Sequence, residues 1–150
     1  MNPVIESTLI NTISHSPDET DAFAAKLVSR IKGKALVLLR GGLGSGKTSF
    51  VRGMCKALGM RELWEVDSPT FTIVNHYPGM THLDLYRMHD DMEKEGLNVD
   101  EILASDDIVA VEWPEKMGSI YYDGPIYLVE IEAVANHENQ RVIKISEHWL

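Results

Sequence analysis

The stretch that decides the fold is Gly41-Gly42-Leu43-Gly44-Ser45-Gly46-Lys47-Thr48. It fits the pattern Gly, any four residues, Gly, Lys, and then Ser or Thr, which cradles the phosphates of a nucleoside triphosphate. The glycines let the backbone curl so that successive amides point at phosphate oxygens. Lys47 is expected to reach the β- and γ-phosphates, and the Thr48 hydroxyl is a ligand for the accompanying Mg²⁺. ATP and Mg²⁺ are therefore the expected ligands.

The residues on either side of this motif provide the context that it needs. Residues 35–39 form a short apolar run, which is typical of a buried parallel strand. Residues 49–58 place apolar side chains on one helical face, and Gly59 follows where a C-cap is expected. Strand, loop and helix predict an α/β fold, namely a single P-loop NTPase domain with a mixed β-sheet flanked by helices. The alternative is a Gly-rich turn without a ligand.

Length and composition favour one cytoplasmic globular domain over residues 1–150. No apolar run approaches the length of a bilayer-spanning helix, and the N-terminal residues lack the basic-then-apolar pattern of a signal peptide. The single cysteine, Cys55, allows no internal disulfide, which fits a reducing compartment. Its position on the apolar helix face predicts a buried structural thiol.

The net charge of −9 bears on the choice of partner. Binding to a nucleic-acid backbone needs clustered Lys and Arg, and the densest basic group here lies at residues 26–34, where a solvated helix end is expected. We expect no strong direct nucleic-acid binding and no membrane association.

The rest of the chain predicts further strands and helices. Ser16-Pro17-Asp18-Glu19 fits a capping box at the start of a helix that Gly33 ends. The pattern also predicts an edge strand over residues 4–14, a loop over 60–69 and a hairpin from 71–77 and 81–87. Two short helices are expected within the acidic residues 90–105. A buried strand over 108–111 follows, and then a final strand pair, 126–131 and 141–145, joined through 136–139. The role of the acidic stretch stays open.

Two carboxylates are candidates for the metal and water chemistry of a triphosphate site. Glu112 stands at the carboxyl end of the most apolar late strand, where ligands collect in open α/β sheets, and is expected to ligate Mg²⁺. Asp84 is expected to orient the attacking water or to join the metal shell as a second acid. For both residues the alternative is a rim carboxylate that caps a helix or pairs with Arg87.

Other residues near these motifs have a functional and a structural interpretation. A mobile Ser68-Pro69-Thr70 segment would sense a γ-phosphate as switch loops do, or it is an ordinary β-rich stretch. Trp113 either covers the nucleotide or fills the edge of the core. His76 and His82 share no zinc-binding spacing with Cys or acidic residues, so we expect ordinary strand histidines.

The motifs together resemble the TsaE (formerly YjeE) ATPases of bacterial tRNA threonylcarbamoyladenosine synthesis. The resemblance covers essentially the whole chain. It is carried by residues 41–53, Ser68-Pro69-Thr70-Phe71-Thr72, His82-Leu83-Asp84-Leu85-Tyr86-Arg87 and Val111-Glu112-Trp113-Pro114. Gly42 departs from the family, which commonly has Asp there; because that position points away from the phosphates, little effect is expected.

The resemblance implies a cytosolic ATPase that works with the TsaD and TsaB proteins. Its ATP hydrolysis would support turnover of an assembly that transfers threonylcarbamoyl to adenosine 37 of tRNAs reading codons that begin with A. By the same resemblance Thr48 and Glu112 would ligate Mg²⁺, Asp84 would be a catalytic acid, and Trp113 would lie by the nucleotide. Lys47 is the other expected catalytic residue. Residues 16–20 would approach the adenine. The expected nucleotide-binding residues are Gly41, Leu43, Gly44, Ser45, Gly46, Lys47, Thr48, Ser49 and Trp113.

Two other functions stay open at this point. A small-molecule kinase would need an acceptor pocket and a lid carrying arginines, for which the sequence offers few candidates beyond Arg52, Arg61 and Arg87. A nucleotide-gated interaction module would bind ATP with negligible catalysis. The sequence also shows no glutamine or arginine in an obvious position to complete hydrolysis, so such a group is expected to come from a partner.

Overall fold

A β-sheet forms the centre of the structure, a computed structural model that describes residues 5–60, 73–88 and 97–149. Within those residues the strands are β1 (Ile5–Ser14), β2 (Ala35–Arg40), β3 (Val74–Tyr77), β4 (Met80–Asp84), β5 (Ile108–Glu112), β6 (Ile126–Val134) and β7 (His137–Trp149). The helices are α1 (Pro17–Arg30), α2 (Lys47–Ala57) and α3 (Val99–Leu103), and a 3₁₀ turn covers Pro114–Met117.

The strands lie in the order β1-β7-β6-β2-β5-β4-β3. β2 is parallel to both of its neighbours, β5 and β6, and β4 is parallel to β5. The pairs β3–β4, β6–β7 and β1–β7 are antiparallel. The predicted α/β fold with a mixed sheet is therefore confirmed. Because β2 is central and covered on both faces, its sequence is a continuous apolar run rather than an alternation of apolar and polar residues.

Successive residues of β2 enter two separate cores. Val37 and Leu39 face α1 and α2, where they pack with Leu27, Phe50 and other buried residues. Leu36 faces the opposite side, where α3 and the 3₁₀ turn cover the sheet. This alternation is the period of two that a strand imposes on its side chains.

The two helices on the first face approach each other closely at Gly53. A Cβ added there would lie 2.9 Å from Cβ of Ala24 and 3.0 Å from Oδ1 of Asp21, both on α1. Such distances are too short for real side chains, so helix packing explains the glycine. Cys55 on the same helix is buried as predicted, and burial raises the pKa of its thiol to about 11.

Several predicted elements are confirmed. β1 is an edge strand, and β3 and β4 form the predicted hairpin. Ser16 caps α1, since its Oγ accepts a hydrogen bond from the Glu19 amide at 3.1 Å. The Glu19 carboxylate bonds the amide of His15 at 2.6 Å, so the capping box closes one residue earlier than its usual form.

α2 begins at Lys47, and Gly46 is its N-cap. The predicted bounds of the last strand pair were wrong. The β6–β7 hairpin turns at residues 135 and 136, with Val134 paired to His137, so that 137–139 lie in β7 rather than in a loop. Of the acidic stretch, α3 is present, whereas residues 89–96 lie outside the described residues, as does nearly all of the loop predicted for 60–69.

None of the described helices combines the length and the apolar character that crossing a bilayer requires.

Candidate nucleotide site

The glycine-rich motif connects β2 to α2. Gly46 has φ 110° and ψ 16°, a left-handed conformation that residues with side chains rarely adopt. Gly41 has a different reason to lack a side chain, because a Cβ there would collide with the carbonyl oxygen of Ile131. The helical hydrogen bonds of α2 start with the Phe50 amide, which donates to the Gly46 carbonyl at 2.9 Å. The earlier amides of the helix have no acceptor within it and are suited to an anion.

Lys47 folds back over the loop. Its Nζ donates to the carbonyl oxygens of Gly41 at 2.5 Å and Gly42 at 3.0 Å, and it lies 4.1 Å from the centroid of the Trp113 ring. Burial lowers the pKa of Lys47, and the Glu112 carboxylate is the largest of the charges opposing that shift. Within the described part of the chain these contacts of Nζ are with neutral groups, so an anion in the cavity would compete with them for the ammonium group.

The two predicted acids end neighbouring strands. Asp84 of β4 is the register partner of Glu112 of β5, and two residues earlier His82 is the partner of Ala110. Because side chains alternate along a strand, His82, Asp84 and Glu112 lie on one face of the sheet. The small Ala110 leaves room there for the imidazole.

Glu112 is 3% exposed and makes hydrogen bonds through both carboxylate oxygens. Thr48 Oγ1 lies 3.1 Å from Oε1 and 3.1 Å from Oε2, and His82 Nε2 lies 2.6 Å from Oε2. Thr48, the second residue of α2, thus meets Glu112, the last residue of β5, through a hydroxyl and a carboxylate. Both groups are oxygen ligands that Mg²⁺ accepts.

Asp84 is less buried than Glu112 and its surroundings are different. Its Oδ1 accepts a hydrogen bond from the Tyr86 amide at 3.1 Å. Burial raises the pKa of Asp84, with a further contribution from the Glu112 carboxylate, while the Tyr86 amide, His82 and Lys47 lower it. Asp84 therefore carries a charge that is only partly compensated in the absence of a cation.

The structure assigns His82 to the site, whereas the sequence analysis treated it as an ordinary strand histidine. It is 3% exposed, and its Nε2 donates to Glu112 in the tautomer that leaves Nδ1 without a hydrogen. Within the described residues Nδ1 has no hydrogen-bond partner. The spacing of two residues from Asp84 was the available signal, because it puts both side chains on one face.

A cavity of about 630 Å³ lies over the motif. Ten of the predicted site residues line it: Leu43, Gly44, Ser45, Gly46, Lys47, Thr48, Ser49, Asp84, Glu112 and Trp113. Gly41 instead lines a smaller adjoining cavity that it shares with Trp113. The volume is within the range of small-molecule and cofactor sites.

Not every predicted residue reaches this cavity. The switch residues Ser68, Pro69 and Thr70 lie outside the described residues. Residues 16–20, expected near the adenine, are not among the described residues that line the cavity. They open α1 instead, where Thr20 Oγ1 lies 2.7 Å from Ser14 Oγ.

Two arginines of the described residues line the cavity, although the sequence showed none in an obvious position to complete hydrolysis. Arg87 follows β4, close to Asp84, and Arg141 comes from β7. Arg141 Nε donates to the Ser45 carbonyl of the glycine-rich loop at 2.8 Å. Arg141 and Ser45 are 96 positions apart in the chain, so no local sequence pattern connects them.

Trp113 takes part in both arrangements that the sequence left open. Its ring faces Lys47 and lines the cavity, and it also packs against the second core. The Tyr86 ring lies 5.2 Å from it at an angle of 41°. The backbone of Trp113 has φ 60° and ψ 52°, a conformation that is uncommon for a bulky residue and often marks functional sites.

Comparison with known proteins identifies the family. The family model described as threonylcarbamoyl adenosine biosynthesis protein TsaE matches residues 14–143. The chain belongs to the TsaE family. The stated resemblance is confirmed, and so is the connection to tRNA threonylcarbamoyladenosine biosynthesis that the family carries.

Individual TsaE proteins agree with this assignment. The chain is 36% identical to TsaE of Aquifex aeolicus over 142 residues, which cover 91% of this chain and 96% of that protein. It is 41% identical to TsaE of Synechocystis over 106 residues, 65% of this chain and 66% of that one. The crystal structure of Bacillus subtilis YdiB superimposes with a TM-score of 0.68 at 24% identity, covering 99% of this chain and 88% of YdiB, and supports the fold.

Proposed function

We propose that this TsaE-family chain is a Mg²⁺-dependent ATPase built as a single P-loop domain in the cytoplasm. It would act with the TsaD–TsaB complex and support its turnover in threonylcarbamoyl modification of adenosine 37 of tRNAs reading codons that begin with A. The observation that carries the proposal is the contact of Thr48 with both oxygens of Glu112, at 3.1 Å each, beside the glycine-rich loop.

The residues present fit a magnesium nucleotide. Thr48 and Glu112 offer only oxygen donors, and Asp84 lies in register with Glu112. Oxygen donors of this kind suit a Mg²⁺ site that also keeps phosphate and water ligands. The left-handed Gly46 and the start of α2 fit a phosphate group. Mg²⁺, when bound, would supply positive charge to the β- and γ-phosphates.

The proposed roles of the residues follow from their positions. Lys47 would exchange the carbonyls of Gly41 and Gly42 for phosphate oxygens. Asp84, in register with Glu112 and partly exposed to the cavity, would orient a water molecule for in-line attack on the γ-phosphorus. Its raised pKa suits a group that accepts a hydrogen bond from water and, transiently, a proton.

The partner assignment comes from the family, and charge supports it. TsaE proteins are named for a tRNA modification, yet this chain carries a net charge of −9, which is unfavourable for binding a polyanion directly. A protein assembly that itself holds the tRNA would resolve this conflict. The switch residues Ser68, Pro69 and Thr70 are proposed to carry the nucleotide state to that assembly.

The kinase alternative is less well supported. A kinase needs room for an acceptor next to the γ-phosphate. A separate cavity of about 430 Å³ lies between β1, α1 and β7 and shares no lining residue with the nucleotide cavity. The residues that line the nucleotide cavity therefore favour hydrolysis over transfer to a second substrate.

The test is an ATPase assay of the chain alone and with purified TsaD–TsaB. We expect slow release of free phosphate from the isolated chain and a clear increase with the complex, both abolished by Lys47→Ala. Equal rates with and without TsaD–TsaB would contradict the partner assignment. Release of no phosphate in either case would leave the nucleotide-gated interaction module as the better account.

A second measurement separates partner binding from tRNA binding. Pull-down of TsaD–TsaB is expected to be stronger with a nonhydrolysable ATP analogue than with ADP, and a gel shift with bare tRNA is expected to be weak. The proposal would be overturned by tight tRNA binding to the isolated chain together with partner binding that does not depend on the nucleotide.

A further inference from the structure

Arg141 connects strand β7 to the glycine-rich loop. It lies in β7, in register with Ser14 of β1 and Ala133 of β6. From there the guanidinium group reaches the loop, where a Cβ added to Gly46 would lie 3.7 Å from Nε of Arg141. The β6–β7 hairpin also supplies the Ile131 carbonyl that excludes a side chain at Gly41. The hairpin therefore supports the loop at both of its ends.

The hydrogen bonds of Arg141 go to carbonyl oxygens. Nε donates to Ser45 at 2.8 Å, and Nη1 donates to Glu138 at 2.7 Å and Gln140 at 2.7 Å. A loop that directs its amides at phosphates has to direct carbonyls elsewhere, since each peptide unit carries both groups on opposite sides. The bond from Arg141 holds the Ser45 carbonyl in such an outward direction.

The positive charge of Arg141 is not neutralised by an ion pair with any residue of the described ranges 5–60, 73–88 and 97–149. Its remaining nitrogen, Nη2, has no hydrogen-bond partner in those ranges, and the side chain lines the nucleotide cavity. A guanidinium anchored through neutral carbonyls keeps its charge and donors available to an anion.

We propose that Arg141 is a nucleotide-binding residue that acts at two points. Nε fixes the Ser45 carbonyl so that the loop amides face the phosphates, and Nη2 donates to a phosphate oxygen of the nucleotide as a second cation beside Lys47. The side chains of Lys47 and Arg141 line the same cavity. The inference rests on the proposed function only in requiring that this cavity bind a nucleotide.

The experiment measures MgADP affinity by calorimetry for the full chain and for Arg141→Ala, Arg141→Lys and Lys144→Ala. Lys144 is the matched control, because it is a cation on the same strand that pairs with Glu6 at 3.5 Å and does not line the cavity. We expect about a tenfold or greater loss of affinity in Arg141→Ala, a several-fold loss in Arg141→Lys, and no change in Lys144→Ala. Thermal unfolding without nucleotide is recorded for each variant.

Adding guanidinium ions gives a measurement that would not change if the role of Arg141 were purely structural. Added to Arg141→Ala at a concentration well below that which unfolds proteins, guanidinium is expected to restore part of the lost MgADP affinity and to leave the wild type unchanged. If Arg141→Ala does not fold, Arg141→Lys decides the question, because lysine keeps the charge but not the fork that bonds several acceptors.

The outcomes separate this inference from the proposed function. Wild-type affinity in Arg141→Ala, or in Arg141→Lys where the alanine variant is unfolded, would overturn the role of Arg141 and leave the ATPase proposal standing. A loss of affinity that guanidinium does not restore would also overturn the second contact. A wild-type chain that does not bind MgADP would refute the nucleotide site itself, and with it both proposals.

Discussion

Asp84 and Glu112 are register partners at the carboxyl ends of the parallel strands β4 and β5. The shared register brings together two carboxylates, at positions 84 and 112, that are 28 residues apart in the chain. Their surroundings nevertheless differ. Glu112 is buried and bonded by Thr48 and His82, whereas Asp84 is partly exposed to the cavity and has a raised pKa. Two acids in different environments are suited to different tasks, one as a fixed metal ligand and one as a partner for water.

Removing either charge is expected to damage hydrolysis more than nucleotide binding. Asp84→Asn and Glu112→Gln keep the shape of the side chain, and each should lower the rate of phosphate release by roughly a hundredfold or more. ADP affinity without Mg²⁺, measured by calorimetry, should change by less than about tenfold because neither carboxylate is expected to contact the nucleotide directly. Wild-type rates in both variants would make them structural rim residues.

Asp84→Asn is also expected to stabilise the nucleotide-free chain at neutral pH. The pKa of Asp84 is raised by burial and by Glu112, against the opposing effects of Tyr86, His82 and Lys47. A raised pKa means that the protonated form is favoured in the folded state, so the stability it contributes is present at low pH and is lost as the pH rises through the folded-state pKa. At pH 7 the ionised carboxylate is therefore a cost that asparagine lacks.

The check on this stability effect is thermal unfolding of wild type and Asp84→Asn without Mg²⁺. We expect a rise in Tm of about 1–3 °C at pH 7, which diminishes as the pH is lowered toward the ordinary aspartate range. Asp123→Asn is a suitable control on an exposed carboxylate outside the cavity lining. A lower Tm for Asp84→Asn at pH 7 would contradict the interpretation.

The loop residues themselves give a further prediction. Lys47→Ala removes the buried ammonium group over the loop, and Thr48→Ala removes the hydroxyl that meets Glu112. Both should reduce hydrolysis by roughly a hundredfold or more, and Lys47→Ala should also weaken ADP binding. Unchanged nucleotide affinity together with normal hydrolysis in Lys47→Ala would refute the assignment of the phosphate site. Lys56→Ala, an exposed change later on α2, should leave both unaffected.

The sequence predicted those parts of the site that depend on local pattern. The motif from Gly41 to Thr48 predicts a strand, a loop and a helix, and Glu112 follows an apolar run that was interpreted as a buried strand, as it is in the structure. Asp84 could be placed near them because parallel strands end at the same edge. The start of α2 at Lys47 follows from the conformation of Gly46 rather than from hydrophobic periodicity.

The contacts that His82 and Arg141 make could not be assigned in that way. The bond of His82 to Glu112 depends on which strands are neighbours and on the small Ala110 opposite the imidazole. The bond of Arg141 to Ser45 depends on how the β6–β7 hairpin folds against the loop. Contacts between residues so distant in sequence are fixed by tertiary packing, on which a single sequence carries little information.

His82 is expected to position Glu112 for Mg²⁺. A short bond of 2.6 Å from Nε2 holds Oε2 of Glu112, and Oε1, which Thr48 also contacts, is left for a metal. His82→Phe removes the donor but keeps a ring, and should weaken the effect of Mg²⁺ on ADP affinity by about tenfold or more, with ADP affinity in the absence of Mg²⁺ little changed. His82→Gln, which keeps a donor, should recover part of that effect.

The control for His82 is His76, which lies on the neighbouring strand β3 and contacts Thr81 at 3.3 Å. His76→Phe should leave the Mg²⁺ dependence as in the wild type. Calorimetry of ADP binding over a range of Mg²⁺ concentrations measures the difference. An unaltered Mg²⁺ dependence in His82→Phe would show that Glu112 needs no such support.

Trp113 is expected to report nucleotide binding through its fluorescence. Its ring lies 4.1 Å from Nζ of Lys47, so a nucleotide that draws the ammonium group to its phosphates must change the surroundings of the indole. The measurement uses a chain in which Trp64 and Trp149 are replaced by Phe, leaving Trp113 as the sole tryptophan of the three. ADP with Mg²⁺ should change the emission in a saturable manner, and Lys47→Ala in the same background should change the starting spectrum and reduce the response. A flat titration, with binding confirmed by calorimetry, would mean that the ring serves the second core alone.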